Sequence, residues 1–102
     1  MAILELLATA TKAKLNEHFE QVLRYAQQLN PLEVWVVHFS RADKVVEKPH
    51  WPCEKLQQKG LNVVHFWHNK EFTNVRMSAR CIDKFGVVSD VINQRIIPLP
   101  RI

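Results

Sequence analysis

One glutamate sits in the middle of a short apolar strand. It is Glu5, in Ile3-Leu4-Glu5-Leu6-Leu7. An ionisable group on a buried strand is costly unless it is paired or binds a metal. The next segment reads as an amphipathic helix from Lys12 to Leu29 and carries Gln21 and Tyr25. At about 100° per residue, Leu15, Phe19, Val22, Leu23, Ala26 and Leu29 share one face. Lys14, His18, Gln21, Tyr25 and Gln28 form a polar stripe along its flank. Such a stripe can look into a cleft beside a sheet, or it can be an ordinary solvated shoulder.

The histidines and cysteines offer less. His50-x-x-Cys53, His65-x-x-His68 and Cys81 could in principle be gathered around zinc. On a strand, however, His65 and His68 have opposite parity and point to opposite faces. His38 and His65 read instead as strand-end residues with satisfied hydrogen bonds. No feature marks Cys53 or Cys81 as an activated nucleophile. Trp35 and Trp67 lie mid-strand and read as core. Trp51, between two prolines, reads as an exposed contact able to stack on a base.

The elements that must position these groups follow in order. A first strand, Ala2 to Ala8, leads through a turn to the helix, with Thr11 as its N-cap. Asn30-Pro31 stops the helix. A β-branched and aromatic strand runs from Glu33 to Phe39. A short helix is expected at about Cys53 to Lys59, ended by Gly60. The third strand, Leu61 to His68, repeats the Val-Val-His-Phe of the second, which two strands of one sheet can reach by convergence. The fourth, Phe72 to Cys81, follows a short link and should pair antiparallel with the third. A final apolar run stands at Ile96-Ile97. The expected fold is α/β: a mixed sheet of about four strands with one long helix after the first strand. Helical crossovers imply that the first three strands are parallel. Strands two and three are apolar enough to be buried on both faces, yet one long helix covers only one. The chain reads as a core lacking a layer, completed by another chain or belonging to something larger.

Length and composition set the limits. The 102 residues suffice for a single domain over 1–102. An apolar content of 47% is globular, not disordered. The two glycines, Gly60 and Gly86, cannot build a phosphate-binding glycine loop. A net charge of +4 permits phosphate contact without demanding nucleic acid. Two distant cysteines suggest a reducing compartment. With no convincing signal peptide and no transmembrane stretch, the expectation is an intracellular protein, cytoplasmic or nuclear, with no membrane partner.

At Glu5, Gln21 and Tyr25 the chain resembles the PD-(D/E)XK nuclease superfamily, in the branch with Q-x-x-x-Y on the helix. Glu5-Leu6-Leu7 occupies the (D/E)-x-K position, and Gln21 and Tyr25 match Q-x-x-x-Y. Glu33-Val34-Trp35-Val36-Val37-His38-Phe39 looks like the next core strand. The wider text, including Asn62-Val63-Val64-His65-Phe66-Trp67-His68, is similar to a group of fungal nuclease-like domains. The resemblance runs from the first strand through Cys81. It implies a partial restriction-endonuclease-like core, with Glu5, Gln21 and Tyr25 marking the catalytic cleft and Glu5 as a ligand to Mg²⁺.

Departures from the family pattern shape the functional expectation. Active members hold Mg²⁺ with two carboxylates and use a lysine to orient the nucleophile or stabilise charge. Here Leu7 stands at the lysine position, and the family's early aspartate has no counterpart in the 102 residues. The expectation is a catalytically impaired domain that binds nucleic acid or a partner protein, with Lys12, Lys14 and Arg24 as phosphate contacts. Two alternatives stand beside it. One is an active Mg²⁺-dependent nuclease in which Lys12 or Lys14 replaces the lysine and another segment supplies the aspartate. The other is an interaction module without nucleic acid, whose partner or second copy covers the incomplete sheet.

Overall fold

Right-handed crossovers decide which face of this sheet is covered. In a computed structural model describing residues 2–96, the strands are β1 (Ala2–Ala8), β2 (Glu33–Ser40), β3 (Leu61–His68), β4 (Val75–Ile82) and β5 (Val88–Ile96). They lie side by side in chain order. β1, β2 and β3 are parallel; β4 and β5 add antiparallel hairpins. The helix α1 (Lys12–Leu29) links β1 to β2, and a short helix, α2 (Lys44–Glu47), with a 3-10 turn, Glu54–Leu56, lies between β2 and β3. Both crossovers step the same way along the sheet, so with one handedness both land on the same face.

The core lies on that face. Leu15, Phe19 and Val22 of α1 pack on Val34, Val36, Leu61, Val63 and Ile82, with Ile3, Leu7, Trp51 and Leu56 around them. Burying each large aliphatic side chain here stabilises by roughly 1.5–3 kcal/mol. Thr11 caps α1, its Oγ1 accepting from the Lys14 N–H at 3.2 Å. Asn30 closes the helix in the left-handed conformation, directly before Pro31. Leu29, at the frayed end of the apolar stripe, is exposed.

The opposite face has no covering element among the described residues. By strand parity it carries Leu4, Leu6, Trp35, Val37, Phe39, Val64, Phe66 and Met77. Leu4 and Leu6 are 62% and 61% exposed. In β2 the burial alternates strictly between the two faces, whereas the first part of β3, Leu61 to His65, is buried on both.

Several local expectations shift. The sheet has five strands, not about four. β5 escapes a reading by pattern because Ser89-Asp90-Val91-Ile92-Asn93-Gln94 is polar, exposed and interrupted by Asn93 at φ 51°. It is held instead by pairing, with Arg80 donating to both carboxylate oxygens of Asp90 at 2.9 and 2.8 Å. The helix expected over Cys53 to Lys59 is only the single 3-10 turn, and Gly60 serves the sheet. Its φ of +83° and a Cβ position 2.8 Å from the Leu32 carbonyl oxygen leave room for no side chain. α2 is a further addition. Of the run Ile96-Ile97, Ile97 lies outside the described residues.

Candidate functional site

The two flanks of α1 open onto different chemistry. On the β1 side, Glu5 projects from the covered face, and its carboxylate accepts a hydrogen bond from His18 Nδ1 at 2.9 Å. His18 belongs to the polar stripe along the helix. Gln21 and Tyr25, further along that stripe, bond each other instead: Gln21 Nε2 donates to the Tyr25 hydroxyl at 2.7 Å. Leu7, two residues after Glu5, packs against the core. Mg²⁺ takes oxygen ligands, and one carboxylate facing an imidazole fits it poorly. Among the described residues no group of three or more His, Cys, Asp and Glu side chains is placed to hold a metal ion.

The three cations expected to meet phosphate do not form one patch. At about 100° per residue, Lys12 and Lys14 diverge by about 160° around α1, and Arg24 lies opposite the core stripe. Lys14 pairs with Glu17 at 3.3 Å. Lys12 faces away from Glu5, into a cavity on the other flank.

That cavity has a volume of about 550 Å³ and lies beyond the carboxyl ends of β1, β2 and β3. Its walls include Thr9–Thr11, Lys12, Ser40, Lys44, Lys48 and His50, over a floor of His38 and His65. The two floor histidines are each 1% exposed. They are register partners on neighbouring parallel strands, and their Nδ1 atoms are 3.0 Å apart.

The hydrogen bonds assign every ring nitrogen. His38 Nε2 accepts from the Ala10 N–H at 2.9 Å, so it carries no proton. His38 Nδ1–H must therefore donate to His65 Nδ1. His65 Nε2–H then donates to the His50 carbonyl at 2.7 Å. The relay runs one way, from the turn before α1, across two strands, to the β2–β3 connection. It requires both rings to be neutral, because an extra proton on either would set donor against donor. Burial pushes both the same way, lowering His38 and driving His65 down to about 4. His50 is lowered too, by burial and by the charge of Lys12.

Pattern reading misses this relay, although its signal is present. Val36-Val37-His38-Phe39 and Val63-Val64-His65-Phe66 are the same four letters, and they pair residue for residue. The repeat sets histidine beside histidine on one face and stacks Phe39 on Phe66, 5.5 Å apart, on the other. Trp51 also departs from expectation: it is half-buried against the core, with its ring 5.2 Å from His65. Trp35 and Trp67 lie outside the core cluster. Trp67 lies under Arg76 and bonds the Arg41 carbonyl. Burial and Asp90 push the Cys81 thiol up, away from a reactive thiolate.

No protein family, characterised protein or solved structure matches the chain. Among the described residues no helix is long and apolar enough to cross a membrane.

Proposed function

We propose that the chain is a nuclease-like domain impaired in cleavage and used for binding, and that its partner is protein: a second copy of itself. The observation that carries the reading is the uncovered apolar face of the sheet. Its register positions across β1 to β4 are apolar apart from Glu33, Asn62, His68 and Cys81. A face so poor in charge has little to offer a highly charged partner. A second copy brings the same surface, and two twisted sheets can pack face to face about 10 Å apart.

Sedimentation of the purified chain over a range of concentrations tests this. The expected result is a dimer that Leu6→Glu dissociates without loss of secondary structure. A wild-type chain that stays monomeric at high concentration would overturn self-association. For cleavage, the pairing of Glu5 with His18 and the placement of Leu7 support impairment. Chain supplied with Mg²⁺ or Mn²⁺ is expected to leave DNA and RNA intact. Cleavage abolished by Glu5→Ala would overturn the impairment and favour the nuclease with a displaced lysine.

Nucleic-acid binding is a second reading, favoured by one observation: the cavity gathers Lys12, Lys44 and Lys48. Duplex binding there would weaken with salt at a slope of roughly −0.9 per phosphate contacted.

A further inference from the structure

We propose that the cavity beyond β1–β3 is a binding site for a phosphate monoester, recognised as a dianion by Lys12, Lys44, Lys48 and Ser40. The site is independent of the bare sheet face.

Charge separation around α2 is the first argument. α2 and its two caps carry two acids and two lysines. The acids, Asp43 and Glu47, both engage Arg76 on β4. Lys44 and Lys48 line the cavity instead, opposite Lys12 from the first turn of α1. None of the three lysines has an ion-pair partner among the described residues, and no carboxylate lines the cavity. Three like charges around one concavity repel until an anion enters.

Ser40 is the second argument. It is 3% exposed, and its Oγ accepts from the Ala42 N–H at 3.1 Å. Among the described residues no group accepts the hydroxyl proton in return. Ser40 lines the cavity, so its hydroxyl proton is available to a bound oxyanion.

The floor explains the preference for a compact anion. All four ring nitrogens of His38 and His65 are engaged in the relay, so the floor offers no free donor. The ligand is held from the walls, by ammonium groups and one hydroxyl. A phosphate monoester offers three terminal oxygens and nearly two charges to such a ring of donors. A phosphodiester offers two oxygens and one charge.

Isothermal titration with inorganic phosphate and with glycerol 3-phosphate, at fixed ionic strength, tests the site. Both are expected to bind, and uncharged glycerol is not. Lys44→Gln and Lys48→Gln should each weaken binding by roughly tenfold, the scale of one charge-assisted hydrogen bond. Ser40→Ala should weaken it less, while Lys14→Gln, on the far flank of α1, should leave it unchanged. Absence of phosphate binding would overturn the proposal. So would equal weakening by Lys14→Gln, which would reduce the effect to net charge.

Competition with oligonucleotides separates the sources of the phosphate. If a 5′-phosphorylated strand displaces inorganic phosphate and its 5′-hydroxyl counterpart does not, the site is confirmed with nucleic-acid ends among its ligands. If neither displaces it, the site is confirmed for small phosphate esters. Equal displacement by both would overturn the monoester preference.

Discussion

The two flanks of α1 begin from similar material and end differently. Each sets ionisable residues of the sheet beside the same helix. On the β1 flank, Glu5 meets His18, and Gln21 meets Tyr25. These are separate pairs at a partly exposed edge, and removing one leaves the other intact. On the cavity flank, His38 and His65 are fully buried, and each is bonded to its neighbour and to a backbone group. A change there breaks several contacts at once. Chemistry-bearing residue types alone do not distinguish the flanks; burial and connectivity do.

The largest expected effect is loss of the relay. His38→Ala removes a buried ring and leaves the Ala10 N–H and His65 Nδ1 without partners. It should destabilise the fold by roughly 3 kcal/mol, from a cavity and two unsatisfied groups. Urea unfolding would show it as a lower midpoint with an unchanged slope. A loss as small as that of an exposed pair would erase the difference between the flanks.

Acid should act on the same flank. Burial holds His65 at about 4 in the folded chain, against about 6.5 unfolded. The folded state disfavours the proton, so its stability is fully present above pH 6.5. It falls as the pH drops through that value and levels off near 4, where the folded chain also protonates. The shift corresponds to roughly 3 kcal/mol. His38, lowered in the same direction, adds to the loss. Thermal melts at pH 7.5, 6 and 5 should show a steady decline that His65→Gln flattens. A decline of equal steepness in that variant would place the titration elsewhere.

The β1 flank should respond weakly. Glu5→Ala removes a partly exposed pair and should cost about 0.5 kcal/mol, within the range of surface ion pairs. Tyr25→Phe removes one exposed hydrogen bond and should change stability by less than about 0.5 kcal/mol. Losses above 2 kcal/mol at either residue would show that this edge is integrated into the core and reverse the ranking.

The same contrast explains what could be read from the letters alone. Apolar periodicity gave α1, and Thr11 and Asn30-Pro31 marked its ends, because capping and helix breaking are local events. The apolar strands β1–β3 and the helical cover on a single face followed from crossover rules and from the shortage of helices. β5 could not be read, because it is held by Arg80–Asp90 and by pairing with β4, not by a pattern of its own. Glu5 was conspicuous as a charge among apolar neighbours, yet its partner, His18, was only one of five residues on the stripe. The relay was the least legible part. A histidine in a strand is ordinary; two become a unit only when register sets them side by side, and parallel register is a long-range outcome. The cavity lysines were hidden in the same way, since Lys44 and Lys48 meet Lys12 only after the β2–β3 connection folds over the strand ends.

Amide chemical-shift mapping of the chain titrated with inorganic phosphate tests most directly whether binding chemistry sits on the cavity flank and not at Glu5. The expected result is saturable movement at Thr11, Lys12, Ser40, Lys44 and Lys48, with Glu5, His18, Gln21 and Tyr25 unmoved. Movement centred on Glu5 and Gln21, or none on either flank, would contradict the account.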